Sequence, residues 1–260
     1  MSPYLIIFDI DETLYINETD HIPESAIKAL DQLKDVGHTL AIATGRSFYS
    51  IRKREKFNNL PVDFYILANG QLVVKGEEVI YENAIEMDII NEVMTFANKQ
   101  GIQLGFNTAT HSFVTDLTEE VRQSFFANST LPAVSTDIES NGPIYQMWYF
   151  SENYADLAEL SKDRLRFIPW RTNSGADILP AGVSKAVALK EALKNFGDII
   201  PEKTIFFGDG MNDIELMEMA DIGVAMGNGV EALKEVADFV TKNIEDDGIY
   251  YACEQLGLFE

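Results

Sequence analysis

A single cysteine, Cys253, leaves this 260-residue chain without an intramolecular disulfide. No histidine lies near it in sequence, so it is read as a buried structural thiol rather than a catalytic one. Histidine is scarce too: His21, His38 and His111 show no metal-ligand spacing and are read as surface or loop residues. Basic residues are outnumbered, 20 Lys and Arg against 42 Asp and Glu, for a formal charge of −22. That balance argues against nucleic-acid or anionic-membrane binding, since both need a positive surface. A small anionic ligand needs only a local positive pocket and stays allowed. No run approaches the roughly 18 apolar residues of a membrane span. The early apolar run YLIIF is too short for a secretory h-region and leads straight into acids. The expectation is a soluble, cytoplasmic protein. Repeats and low-complexity tracts are missing as well.

Hydrophobic residues make up 46% of the chain, enough for a sizeable core. Their periodicity changes along it. YLIIFD, TLAIAT and DFYILAN read as buried strands. PESAIKALDQLKDVG and SFYSIRKREKFN read as the helices between them, the first with Pro23 at its start and Gly37 at its end. This β-α-β-α-β rhythm predicts a parallel sheet with helices on both faces. From about residue 84 the pattern mixes helices (EMDIINEVMTFANKQG, TEEVRQSFFAN, YADLAELSK) with amphipathic strands (IQLGFN, HSFVTD, PIYQMWYF, RLRFIPW, GADILP). From Gly182 the first rhythm returns, through VSKAVALKEALKNFG, KTIFFGD, MNDIELMEMA, IGVAM, VEALKEVA and DFVT. Residues 1–83 and 181–260 are therefore expected to form two halves of one α/β core. Residues 84–180 are expected to form an inserted α+β domain with one sheet covered on one face.

Ligands of open parallel sheets bind at the carboxyl ends of the strands. Just past the core strands stand Asp9 and Asp11, then Thr44-Gly45-Arg46, then Asn69-Gly70, then Gly208-Asp209-Gly210 with Asn212 and Asp213. Acids, a hydroxyl, amides and glycines are the inventory for a divalent cation and an anion. FDIDETLY is not a calcium loop, because Leu14 takes the position that needs glycine and Asp20 the position that needs glutamate. Asp9 and Asp11, at period two, share a side of the strand and could bind Mg²⁺ with the backbone carbonyl of Ile10. The alternative is a solvated strand end with Thr13 as a helix cap. Thr44 and Gly45 read as a phosphate cradle, against the alternative, favoured for the residue taken alone, that Thr44 is simply a helix N-cap. Lys185 opens a helix against its macrodipole, which points either to an anionic partner or to a solvated side chain. MGNGVEA, residues 226–232, fits a dinucleotide fingerprint but lies in the last part of the chain with no acid placed for a ribose.

D-I-D-E-T, A-T-G-R, G-V-S-K and G-D-G-M-N-D, in that order, resemble the four motifs of the haloacid dehalogenase (HAD) superfamily. The likeness spans the whole chain and is greatest to the Cof-type phosphatases, which carry a large cap between the second and third motifs. The resemblance implies a Rossmann-like parallel-sheet core and an inserted α+β cap. It implies a Mg²⁺-dependent phosphatase of small phosphorylated metabolites, sugar phosphates or phosphorylated cofactors, working through an aspartyl-phosphate. By the same resemblance Asp9 matches the nucleophile and Asp11 the general acid and base. Thr44 and Lys185 match the phosphate-holding pair, with Gly45 and Asn212 as further contacts. Asp9, the Ile10 carbonyl and Asp209 match the Mg²⁺ ligands, with Asp213 in support. One departure stands out: the Cof-type pattern usually has glycine where this chain has Glu12.

A phosphomutase of the same superfamily, a silent HAD-like regulatory protein and a response-regulator-like phosphoacceptor are the alternatives. The intact carboxylate pair argues against the last two. The expected partner is a small phosphate ester, with no nucleic acid or membrane, and the chain acting as a monomer or weak homodimer. Lys162, Arg164, Arg166 and Arg171 are candidates for substrate contact in the cap, against a reading as a solvated face.

Overall fold

A computed structural model describes residues 4–125, 131–153, 155, 157, 164–170, 174–197, 199 and 201–260. The chain divides into two compact units. One comprises Met1–Arg46, Arg52–Glu82 and Ser184–Glu260, the other Ser47–Ile51 and Asn83–Val183.

The first unit opens with β1 (Leu5–Phe8), α1 (Glu24–Asp35) and β2 (Thr39–Ala43). The helix expected over residues 47–58 is instead two short ones, α2 (Phe48–Lys53) and α3 (Glu55–Asn58). Between them Arg54 is extended, at φ −110° and ψ 107°. Strand β3 (Phe64–Leu67) is followed by β4 (Leu72–Lys75) and β5 (Glu78–Glu82), a hairpin turned at Gly76 with φ +63°. That hairpin falls outside the β-α-β pattern read from the sequence.

In the second unit α4 (Met87–Gln100) ends at left-handed Gly101, and β6 (Leu104–Asn107) pairs antiparallel with β7 (Ser112–Val114). Helix α5 (Glu119–Gln123) and strand β8 (Ala133–Val134) come next, then β9 (Gln146–Tyr149), β10 (Leu165–Pro169) and β11 (Ala176–Pro180). These strands form a six-stranded sheet in the order β10-β11-β9-β6-β7-β8. Helix α4 supplies Ile89, Ile90, Val93 and Ala97 to a core with Leu104, Phe106, Phe113, Met147, Tyr149 and Ile178. The helix read over residues 154–162 lies largely outside the described residues, as do Lys162 and Arg171.

Back in the first unit, α6 (Lys185–Asn195) leads to β12 (Thr204–Gly208), α7 (Ile214–Met219) and β13 (Ile222–Ala225). A single helical turn, α8 (Glu231–Lys234), precedes β14 (Phe239–Val240) and a closing helix, α9 (Gly248–Gln255). The sheet order is β14-β13-β12-β1-β2-β3-β4-β5. All pairs from β14 to β3 are parallel, and β4 and β5 add an antiparallel edge.

Every residue of β1 is fully buried, which requires cover on both faces. Alternation supplies two apolar faces. Leu5 and Ile7 point with Ala41, Phe64 and Phe206 toward Ala188, Leu189 and Ala192 of α6. Helix α1 packs on β2 and α9, burying Ala26, Ala29, Leu30 and Leu33. Each fully buried Leu, Ile or Phe side chain contributes about 1.5–3 kcal/mol.

From β1 the chain steps outward through β2 and β3, then returns to place β12 on the other side of β1. The order reverses there, and the crevice at the carboxyl ends of β1 and β12 is the topological switch point.

Candidate active site

Strand register decides which acids meet. Phe8 pairs with Phe207 in parallel, and the Asp9 amide donates to the Phe207 carbonyl at 2.9 Å. Both strands thus release their acids at one level, Asp9 from β1 and Asp209 from β12. A 3₁₀ turn, Met211–Asp213, brings Asp213 back beneath them. Asp9, Asp209 and Asp213 each offer a carboxylate oxygen within 4.8 Å of the others, and all three are buried.

Lys185 sits among them. Its Nζ donates to Asp9 Oδ1 at 2.8 Å and to Asp213 Oδ1 at 2.7 Å. Only 1% of the lysine is exposed, so its charge depends on these two carboxylates. They outweigh the downward pull of burial and raise its pKa above the ordinary lysine value. Ser184 caps the helix, its Oγ accepting from the Val187 amide at 3.2 Å, so α6 starts where Lys185 faces the acids. The position that opposes the helix macrodipole is matched by carboxylates.

Asp213 is fully committed. Its Oδ1 takes Lys185, and its Oδ2 accepts the amides of Asp209 at 3.0 Å and Gly210 at 2.9 Å. It thereby shapes the loop that presents Asp209. Asp209 Oδ1 accepts the Thr13 hydroxyl at 2.9 Å, a bond that sets Thr13 in the site rather than at a helix cap.

Asp11 stands beside this cluster, held by Arg46. Nε and one terminal nitrogen of the guanidinium donate to its two oxygens at 2.9 and 2.5 Å. The guanidinium lies over the rings of Phe57 (4.7 Å) and Tyr15 (5.3 Å), which fix the direction of the fork. The motif A-T-G-R contains Arg46 without assigning it a role. Its signal in the sequence is a basic residue just past a strand end, on the edge where the acids gather.

The two carboxyls of the pair titrate in opposite directions. Burial pushes Asp9 well above the usual carboxylate range; Lys185 opposes, and Asp213, Asp209 and Asp11 reinforce the rise. Burial also acts upward on Asp11, but the charge and hydrogen bonds of Arg46 outweigh it and hold that carboxyl below the ordinary value.

The Ile10 carbonyl, expected as a metal ligand, is also a hinge of the loop after Asp9. That oxygen accepts three backbone amides, from Thr13 (3.2 Å), Leu14 (2.9 Å) and Tyr15 (2.8 Å). Through these three bonds the carbonyl organises the loop that follows Asp9. Glu12 lies in this loop at φ +60°, a region that favours glycine. Its Oε1 accepts the Asn17 amide at 3.2 Å and Asn17 Nδ2 at 2.9 Å.

Thr44 Oγ1 accepts the Arg46 amide at 3.1 Å, and α2 begins further on, so Thr44 does not cap it. Gly45 lies against Asn69, whose side-chain oxygen accepts Asn212 Nδ2 at 2.9 Å. The fingerprint-like MGNG segment is a structural staple. Asn228 Nδ2 donates to the Glu12 carbonyl at 2.7 Å, and its oxygen accepts the Ile244 amide at 2.8 Å. In the second unit, Arg164 is tied to Asp88 and Glu92, and Arg166 donates to the Val183 carbonyl at 3.3 Å. No described helix is long and apolar enough to cross a membrane.

Four carboxylates, Asp9, Asp11, Asp209 and Asp213, face two cations, Lys185 and Arg46, and the cluster of three offers only oxygen donors. That donor set suits a hard divalent cation. Comparison with known proteins agrees with this chemistry. A profile described as haloacid dehalogenase-like hydrolase matches residues 6–253. The provisionally named phosphatase YkrA of Bacillus subtilis is 33% identical over the whole of both chains. A provisionally named bifunctional phosphatase/peptidyl-prolyl cis-trans isomerase of Streptococcus pyogenes is 33% identical over 98% of this chain, which spans 54% of that protein. Among solved structures, the HAD subclass IIB sugar phosphatase BT4131 superposes with a TM-score of 0.84 at 34% identity, covering 98% of this chain and 99% of that one.

The chain therefore belongs to the haloacid dehalogenase-like hydrolase family. It is a Cof-type phosphatase, a phosphoric monoester hydrolase.

Proposed function

We propose that the chain hydrolyses small phosphorylated metabolites, sugar phosphates or phosphorylated cofactors, with Mg²⁺ and through an aspartyl-phosphate on Asp9. The observation that carries this reading is the buried Asp9 carboxylate set 2.8 Å from Lys185 Nζ at the switch point, with Asp209 and Asp213 around it. Similarity to a sugar phosphatase supports the substrate class.

Asp9 attacks phosphorus in line; its new O–P bond replaces the bond to the leaving alcohol, which takes a proton from Asp11. Asp11 then removes a proton from water, water attacks phosphorus, and the Asp9–phosphorus bond breaks to give inorganic phosphate. Lys185 and the Thr44 hydroxyl hold the phosphoryl oxygens, with Gly45 and Asn212 lining the same edge. Asp9 and Asp209 would hold Mg²⁺, while Asp213 fixes Lys185 and the Asp209 loop. When bound, the cation offsets the repulsion between carboxylate and phosphate dianion. Arg46 aims Asp11 and favours its ionised form, the form that acts as base on water; to act as acid on the leaving group, Asp11 first takes up a proton against that pull. The inserted unit acts as the cap that selects the leaving group.

Phosphate release from a panel of sugar phosphates, nucleotides and phosphorylated cofactors, with Mg²⁺ present, tests the reading. Asp9→Asn is expected to abolish turnover, and excess chelator to do the same until Mg²⁺ is restored. Turnover by Asp9→Asn at the wild-type rate would sink the mechanism.

A further inference from the structure

Ala68-Asn69-Gly70, just past β3, stands at the same sheet edge as the site but has no part in the chemistry above. Its backbone is unusual. Ala68, Asn69 and Gly70 have φ of +49°, +54° and +102° in succession. An L-residue in the left-handed region costs roughly 1–2 kcal/mol, least for Asn and Gly. Such strain persists only where surrounding contacts over-determine it.

Those contacts run to three loops of the site. The Ala68 amide donates to the Arg46 carbonyl at 2.9 Å, and the Asn69 amide to the Thr44 carbonyl at 3.0 Å. Both ends of Thr44-Gly45-Arg46 are thus pinned to the turn. Between them Gly45 leaves room for the Asn69 side chain, since a Cβ there would lie 3.1 Å from its Nδ2. Asn69 Oδ1 accepts Asn212 Nδ2 at 2.9 Å, which ties in the loop carrying Asp209 and Asp213. Gly70 packs backbone to backbone on the residue before Lys185: a Cβ at this position would fall 2.3 Å from the Ser184 carbonyl oxygen.

We propose that Asn69 is a positioning residue that locks the Thr44 and Asp209 loops in register, while Gly70 beside it seats the Ser184-Lys185 segment, so that Thr44, Lys185 and Asp209 meet one phosphoryl group together. The proposal rests on the phosphatase reading and adds to it the element that preorganises the phosphate site. The demands on the residue are two. It must tolerate positive φ, and it must bridge Gly45 and Asn212 with a short polar side chain. Asparagine meets both, glycine only the first, and alanine lacks the polar group for the second.

Glycine therefore separates the roles. Full-length Asn69→Gly, Asn212→Ala, the double variant and Asp9→Asn are assayed on p-nitrophenyl phosphate with Mg²⁺, alongside thermal melts. The melting temperature of Asn69→Gly is expected to stay within a few degrees of wild type, because glycine suits the backbone. Its kcat is expected to fall on the order of 10²-fold, the scale set by misplacing reacting groups. The double variant is expected to lose little beyond Asn69→Gly, because both changes cut one bridge. A kcat within twofold of wild type for Asn69→Gly, or losses that multiply in the double variant, would overturn the proposal. If Asn69→Gly fails to fold, Asn212→Ala reads the bridge from its other end, and a wild-type kcat there overturns it too. Activity lost in Asp9→Asn but kept in Asn69→Gly refutes the positioning role alone; activity kept in Asp9→Asn refutes the phosphatase reading beneath it.

Discussion

Glu12 shows how one side chain can settle a backbone that favours glycine. Its left-handed conformation lets the loop after Asp11 fold back so that the Ile10 carbonyl collects three amides. The glutamate offsets part of the strain through its two hydrogen bonds to Asn17, and its own carbonyl is held by Asn228. It is a loop-building residue beside the chemistry. His38, expected on the surface or in a loop, does lie in the loop between α1 and β2 but is buried there, only 4% exposed. Its Nδ1 accepts the Tyr4 amide at 3.1 Å, and its Nε2 lies 3.1 Å from the Leu258 carbonyl, so Nε2 carries the proton of a neutral ring. Burial lowers its pKa from the ordinary 6.5, and the Leu258 bond opposes that shift only in part. A lowered folded value means that the unfolded chain binds the proton more readily. The His38 contribution is therefore complete above pH 6.5 and is lost as pH falls from there through the folded value. Urea midpoints of wild type and His38→Gln, compared between pH 7.5 and 5.5, are expected to converge as pH falls. Burial likewise pushes the Cys253 thiol up to about 12, in keeping with a structural role.

At the scale of elements, short ones carry most of the site. Helix α6 starts at Lys185 because Ser184 caps it, so stability and lysine placement share one hydrogen bond. Ser184→Ala is expected to lower unfolding free energy by about 1 kcal/mol, read as a lower urea midpoint with an unchanged slope. Ser184→Thr should restore most of it. The core strands were legible as wholly apolar runs ending in polar residues, and α1, α4 and α6 as 3.6-residue periodicity sustained over eleven to fourteen residues. The break at Arg54, the shortness of α8 within the helix read over VEALKEVA, and the β4–β5 edge were not. A pattern of four to six residues says little about period, and an edge hairpin depends on what lies beside it.

For the whole molecule, charge is the governing quantity. A net −22 and a buried cluster of acids both penalise the compact state, the first through long-range repulsion and the second through local desolvation. Mg²⁺ is expected to raise the melting temperature by binding the folded chain, with about 2.7 kcal/mol of stabilisation at a concentration 100 times its Kd. The same ionic strength supplied as NaCl should give a smaller shift, and Asp209→Asn should remove the difference. Equal shifts from both salts would argue against a specific cation site.

The amino-acid sequence by itself determined the core's α/β class and the acids at its strand ends, because buried strands and strand-end polar residues are local patterns. It also carried the four motifs by which the family is recognised. Only the tertiary structure decided which acids meet, since that depends on the parallel register of β1 against β12, set by chain segments almost 200 residues apart. It turned the Ile10 carbonyl onto three backbone amides and joined Arg46 to Asp11. Both outcomes follow from hydrogen-bond geometry, which spacing along a chain does not encode.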